Sequence, residues 1–359
     1  MSDPTLTPPD LEALHALGWR ASFAQALEAL GDSGLVPGRV VLQQRGRYTV
    51  ATPAGEVAVA LAETLRKTAA SAAELPCVGD WVAIRPPAAN AELGAIAAVL
   101  PRVTKFSRRA VGVDHAEQVL AANVDTIFIA MGLDGDFNLN RLERYLAVAW
   151  LSGGRPVVLL TKADLCADGA MLAARIAAAQ AIAPGVTVVA TSVIGAAGIQ
   201  ALDPFLGGGQ TIVMLGSSGV GKSTLVNTLL QQDLLRTGEV RPSDSQGRHT
   251  TTQRQLFRVR GGALVIDAPG IRDLQLWDPE AGAAVGAGFA DIDAAAARCR
   301  FRDCGHQAEP GCAVVDAVAR GQLPADRLAS WRRLKHEQSA VRRTDPEAAR
   351  KHKRPPNRR

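Results

Sequence analysis

The 359-residue sequence predicts a multidomain α/β protein: a small β-barrel, then a parallel sheet with helices on both faces, then a helical metal-binding module. Three observations carry that expectation. Between residues 35 and 105, five short apolar runs alternate with Gly and Pro punctuation. From Asn123 onward, wholly apolar strands alternate with helical segments, the pattern of strands buried on both faces. Finally, three cysteines and one histidine fall within the fourteen residues Cys299–Cys312.

In chain order, residues 1–34 read as an N-terminal extension with one amphipathic helix, its Leu11, Leu14 and Leu17 spaced by threes. The runs GRVVLQ, YTVAT, EVAVAL, DWVAIRP and GAIAAVL supply the strands of residues 35–105 and suggest an oligonucleotide-binding-type barrel. Strand number alone also fits other small β-modules. Residues 106–279 hold the strands DTIFIAM, PVVLL, VTVVA, TIVML and ALVID. Asn138 is placed to cap a helix in which Leu139, Leu142, Tyr145, Leu146 and Trp150 recur at helical spacing, and a second helix is expected around 168–182. Residues 280–340 form the helical metal-binding module and residues 341–359 a basic tail.

The charge is concentrated in that tail. It carries eight Lys/Arg and two acids, a local +6 within a formal net of +5, so the other 340 residues sum to −1. Such a polycation either solubilises the chain or touches phosphate backbones without sequence preference. The first ten residues lack the basic-then-apolar pattern of an export signal, and no run of 18 uncharged apolar residues exists. A cytoplasmic chain without membrane contact is expected, and nothing in the sequence requires more than a monomer.

The strand TIVML runs into Gly216-Ser217-Ser218-Gly219-Val220-Gly221-Lys222-Ser223, and a helix beginning at Thr224 follows. This is GxxxxGK[ST] in its strand–loop–helix setting. Backbone N–H groups of such a loop cradle phosphates, Lys222 would reach the β- and γ-phosphates, and the Ser223 hydroxyl would ligate Mg²⁺. Only seven of the 40 cationic Lys/Arg side chains are Lys, and two of these, Lys162 and Lys222, stand in nucleotide motifs. A slim ammonium fits where a planar guanidinium does not.

Strand ALVI ends in Asp267-Ala268-Pro269-Gly270, where Asp267 would hold Mg²⁺ through water and the Gly270 N–H would sense the γ-phosphate. Strand VVLL ends in Thr161-Lys162-Ala163-Asp164. A carboxylate there accepts two hydrogen bonds from guanine, whereas adenine would leave it unpaired, so GTP and GDP are favoured over ATP. Thr191 and Ser192, after VTVVA, lie where small polar groups touch the base. The base-reading motifs thus precede the phosphate loop, the reverse of the ordinary order: a circularly permuted P-loop GTPase domain.

Cys299-x4-Cys304-x-His306-x5-Cys312 offers three thiolates and one imidazole, a closed tetrahedral set for one structural Zn²⁺. Cys77 and Cys166 stand alone and read as small apolar groups.

The order of barrel, permuted GTPase and Cys-x4-Cys-x-His-x5-Cys module resembles the ribosome small-subunit-dependent GTPases, the bacterial RsgA (YjeQ) family. Its most specific stretches are GSSGVGKST, GRHTTT, DAPGIRDL and CRFRDCGHQAEPGC. The resemblance implies an assembly factor that binds the small ribosomal subunit late in maturation, touches its rRNA through barrel and zinc module, and hydrolyses GTP slowly until the subunit stimulates it. The family usually carries Asn where this chain has Thr161. The same motifs also serve two other readings: an RNA-binding placeholder that uses GTP only for its release, and a permuted GTPase of the large subunit.

Many GTPases orient the attacking water with a Gln after Asp-x-x-Gly, but Ile271 occupies that position, so the isolated chain should be a poor catalyst. Within residues 240–252, Thr251 is the candidate to complete the Mg²⁺ shell and His249 the candidate water-orienting group, a role proposed in the family. Arg248 could neutralise γ-phosphate charge or touch RNA.

Overall fold

The computed structural model describes residues 7–44, 46–88, 91–109, 117–166, 168–230 and 254–267, and most of 290–335. Two helices open the chain, α1 (Pro8–Ala16) and α2 (Ala21–Glu28). The expectation of one helix is corrected by Gly18, whose φ of 86° breaks the chain between them. These helices are the barrel's outer layer: Leu14, Trp19 and Phe23 bury against Trp81 and Leu100. Trp19 meets Trp81 edge-on, ring centres 4.6 Å apart, a geometry that suits the two ring quadrupoles.

The barrel strands are β1 (Val36–Gln44), β2 (Arg47–Thr52), β3 (Gly55–Leu61), β4 (Trp81–Arg85) and β5 (Gly94–Val99), with helix α3 (Glu63–Thr68) after β3. They pair in the order β1-β2-β3-β5-β4, and β4 returns to β1, which closes the barrel and leaves no free edge there. Only β3 and β5 run parallel. Val40, Val50, Val59, Ile84 and Ile96 fill its interior. A two-stranded sheet, β6 (Lys105–Arg109) with β7 (Glu117–Ala122), leads out of it.

The α/β domain follows as β8 (Thr126–Gly132), α4 (Leu139–Ser152), β9 (Arg155–Thr161), α5 (Gly169–Ile182), β10 (Thr187–Ala190), β11 (Thr211–Leu215), α6 (Lys222–Leu230), β12 (Arg254–Arg258) and β13 (Leu264–Asp267). The strand order is β10-β9-β8-β11-β13-β12, parallel except for β12. Every residue of β8 and β11 is buried, as expected for strands covered on both faces. Asn138 caps α4 by accepting from the Arg141 N–H at 3.0 Å, and Asp168 caps α5. Beyond the sheet lie α7 (Ala290–Ala296) and α8 (Ala313–Ala319). No helix among the described residues is long and apolar enough to cross a membrane.

Strand β12 does more than end the second sheet. It also pairs with β1, Leu42 opposite Gln255 and Gln43 opposite Arg254, so barrel and α/β sheet form one eleven-stranded surface. Arg39 fixes the joint from inside. Its side chain is 1% exposed and donates to the carbonyls of Leu17, Gly79 (3.2 Å) and Asn123 (3.1 Å). Burial pushes the Arg39 guanidinium down to about 10 against the pull of Asp125 and Asp80, so it is still charged at neutral pH. Gly79 has φ 92°, and a Cβ there would lie 2.2 Å from the Ala122 carbonyl, so only glycine permits this approach of barrel to linker. Arg39→Met would strand the Leu17 and Asn123 carbonyls, with an expected loss of about 3 kcal/mol in denaturant unfolding. A loss below about 1 kcal/mol, the worth of an ordinary hydrogen bond, would show that the joint does not depend on this side chain.

Candidate functional site

The parallel strands end on one edge, and the sheet register aligns the loops that leave it. Gly132 pairs with Thr161 across β8 and β9, Leu160 with Ala190 across β9 and β10, and Val213 with Ile266 across β11 and β13. The loops carrying Thr161–Asp164, Thr191–Ser192 and Gly216–Ser223, together with Asp267, therefore emerge side by side. Such a crevice at the carboxyl ends of strands is where open α/β sheets take ligands.

The phosphate-type loop has the backbone its glycines permit. Gly216 (φ 148°), Gly219 (φ 76°) and Gly221 (φ 102°) adopt conformations that side chains resist, and a Cβ on Gly216 would come within 2.6 Å of the Ala130 carbonyl. Ser218 and Gly219 are exposed while Val220 is buried and anchors the loop. Lys222 Nζ donates to the carbonyls of Gly216 (2.7 Å) and Ser217 (2.6 Å), which stretches its ammonium across the loop. Lys222, Ser223 and Thr224 form the first turn of α6, whose positive dipole end points toward the loop.

The base-reading loops are tied to this one. Thr161 Oγ1 donates to the Val220 carbonyl at 2.7 Å, so its hydroxyl clamps β9 to the phosphate-type loop. Lys162 is left-handed (φ 58°), and the Ala163 N–H donates to the Thr191 carbonyl at 3.1 Å. Ser192, 2% exposed, donates its hydroxyl to Asp164 Oδ1, which holds the carboxylate in place and leaves its other oxygen free to accept. Asp267 ends β13, half-buried, beside the strand that feeds Gly216. Of the sequence candidates, His249, Thr251 and Gly270 lie outside the described residues, as do Arg248, Ile271 and the tail 341–359.

Two residues the motifs do not include, Asp134 and Asp136, stand in the same crevice. Asp134 pairs with Lys162, and Asp136 accepts from the Ser217 hydroxyl. Partial burial works to raise the Asp134 carboxyl, but the Lys162 ammonium outweighs it and holds it below the ordinary value. Two carboxylates just past a buried strand's carboxyl end were the available signal in GLDGDFN.

In the C-terminal module, the ligand atoms of Cys299, Cys304, His306 and Cys312 all lie within 4.8 Å of one another. His306 Nδ1 is 3.5 Å from Cys299 Sγ and 3.4 Å from Cys312 Sγ, and those two sulfurs are 3.9 Å apart. Ligands around tetrahedral zinc, at about 2.3 Å for sulfur and 2.1 Å for nitrogen, stand roughly 3.5–3.8 Å from each other, so the set fits Zn²⁺. The electrostatics agree. Burial pulls His306 below its ordinary value, toward the neutral imidazole a metal needs. Burial and the neighbouring sulfurs of Cys312 and Cys299 push Cys304 up to about 11, whereas, against burial, backbone N–H groups of Val314 and Ala313 hold Cys299 below its ordinary value. Cys312 also caps α8, accepting from the Val315 N–H at 3.5 Å, and Trp331 packs on the His306 ring at 5.0 Å. Cys77, buried in the barrel region, and Cys166 are apart from this cluster.

The RsgA GTPase family matches residues 99–277, from the end of the barrel across the whole α/β sheet. A small ribosomal subunit biogenesis GTPase RsgA of Opitutus terrae is 47% identical over 345 residues, 94% of this chain and 93% of the relative. An RsgA 2 of the same description from Lactiplantibacillus plantarum is 46% identical over 308 residues, 86% of this chain and 85% of the relative. Among solved structures, YjeQ from Thermotoga maritima superposes with a TM-score of 0.62 at 24% identity over 85% of this chain and 98% of that one. YloQ, a circularly permuted GTPase, gives a TM-score of 0.59 at 24% identity over 87% and 96%. These two likenesses establish the permuted fold, and the sequence identities go further. With those identities and that family match, the chain belongs to the RsgA GTPase family.

Proposed function

We propose that the protein is a GTP hydrolase of small ribosomal subunit biogenesis, binding GTP in the crevice at the carboxyl edge of its parallel sheet. The observation that carries this is the convergence of Lys222, Asp164 and Asp267 on that edge through one sheet register. Two close relatives are named for the same process. In this reading Asp164 accepts guanine's N1–H and amino group. Thr191 and Ser192 border the base. Loop N–H groups from Gly216 to Ser223, with Thr224 behind them, hold the phosphates, and Lys222 stabilises charge as the γ-phosphate separates. Water attacks the γ-phosphorus in line, the bond to the β–γ bridging oxygen breaks, and GDP and phosphate leave. Ser223, Thr251 and, through water, Asp267 would hold Mg²⁺, which supplies charge neutralisation between the β- and γ-phosphates. Orientation of the water falls to His249, and Gly270 reads the γ-phosphate. The small subunit stimulates turnover late in its maturation, with barrel and zinc module on its rRNA. The chain acts as a monomer in the cytoplasm.

Equilibrium binding and turnover test the nucleotide part. GDP is expected to bind and ADP to fail at the same concentrations. Lys222→Ala should lower GTP turnover by about 10²-fold or more, the scale of losing one preorganised charge-stabilising donor. Wild-type turnover in that variant would remove Lys222, and with it this site, from the mechanism.

A further inference from the structure

The loop between β8 and α4, residues 133–138, belongs to none of the nucleotide motifs. Yet its two carboxylates each hold a residue of a different one. Asp136 Oδ2 accepts from Ser217 Oγ in the phosphate loop, and Asp134 Oδ2 accepts from Lys162 Nζ beside the base-reading Asp164. The loop itself is fixed at both ends. The Leu133 N–H donates to the Thr161 carbonyl at 3.0 Å, and Asn138 caps α4. Arg141, on the first turn of α4, donates to Asp136 Oδ1 at 2.7 Å and to the Asp136 carbonyl. Gly132 leaves the room this needs, since a Cβ there would lie 2.5 Å from Asp134 Oδ1.

A carboxylate beside a phosphate site repels the ligand unless a cation offsets it. Here each acid has its own: Arg141 for Asp136 and Lys162 for Asp134. What is left of each carboxylate is directional, a hydrogen-bond acceptor in a fixed place. We propose that residues 133–138 form a two-carboxylate clasp in which Asp136 positions the phosphate loop through Ser217 and Asp134 positions the base-reading loop through Lys162. This rests on the nucleotide reading given above. Both acids are positioning residues, because they act through groups that face the nucleotide. The two arms make separable contributions: Asp136 governs the affinity gained from phosphates, Asp134 the affinity for the base.

Affinities for GDP and for guanosine, which lacks phosphates, separate the arms in the full-length protein. Asp136→Ala should weaken GDP binding about tenfold, the scale of one hydrogen bond to a charged group, while guanosine affinity stays within about twofold. Asp136→Asn keeps an acceptor for Ser217 and should recover most of the loss. Ser217→Ala should match Asp136→Ala, and the double variant should lose no more than either alone. Asp134→Ala should lower GDP and guanosine affinity by the same factor. If Asp136→Ala weakens GDP and guanosine equally, or if the double variant's losses add, the clasp is wrong and the loop is a general structural element. A wild-type protein that binds no GDP removes the nucleotide reading and the clasp together, whereas failure of the clasp alone leaves wild-type GDP binding intact.

Discussion

Asp164→Asn is expected to lower GDP affinity by about 10³-fold or more and to raise affinity for xanthosine diphosphate above that of the wild type. The size comes from the carboxylate's pairing. Asp164 stands exposed at the strand edge; once a base covers it, an acceptor that pairs with two donors rejects partners lacking them by several orders of magnitude, because the mismatch leaves polar groups unpaired. Asparagine presents one donor and one acceptor, which complements the carbonyl and N–H of xanthine instead of guanine's two donors. The Ser192 hydroxyl, which donates to Asp164 Oδ1, can donate equally to an amide oxygen, so the loop itself should survive the change. Competition binding with the two diphosphates reads the result. Unaltered GDP preference would mean that Asp164 does not read the base.

Removing the metal should have the other large effect, confined to the other end of the chain. We expect one zinc per chain, and chelation should unfold residues 290–335, because a closed zinc set contributes about 10–16 kcal/mol in small domains. Trp331, against the His306 ring, gives a fluorescence signal for that loss. Cys312→Ser should do the same, since Cys312 is both a ligand candidate and the cap of α8. GDP affinity should change by no more than about twofold, because none of the crevice residues belongs to the Cys299–Cys312 cluster. Zinc release without unfolding would make the cluster a peripheral binder, and loss of GDP binding would contradict the independence of the two parts.

How much of this the sequence disclosed depends on how local each signal is. TIVML, DTIFIAM and VVLL are wholly apolar or nearly so and lead into glycine or charged motifs, so strand, loop and chemistry are read from one short window. Asn138 and Asp168 are legible or placeable as helix starts for the same reason. Strand β12 is not, because RQLFR is mostly polar and gains its place by pairing with β1, some 211 positions earlier for Arg254 and Gln43. Likewise KFSRR of β6 buries Phe106 and shows no apolar run. The second N-terminal helix fully buries only Phe23, too little for a helical period. Asp134 and Asp136 escape notice because carboxylates in a Gly-containing loop are common, and only tertiary contact with Lys162 and Ser217 sets these apart. Thr161 is the converse case. Its place at the end of VVLL is plain in the sequence, but the hydroxyl's bond to the Val220 carbonyl needs the fold to be seen.

The central claim is that the crevice hydrolyses GTP in the service of the small ribosomal subunit. Phosphate release from GTP, with and without purified small subunits at fixed Mg²⁺, tests it most directly. The account predicts slow turnover of the isolated protein and a rise of at least about tenfold with small subunits, well within the roughly 10²–10⁴-fold that one positioned catalytic group contributes. Large subunits should give no such rise. Turnover indifferent to the small subunit, or raised equally by the large one, would contradict it.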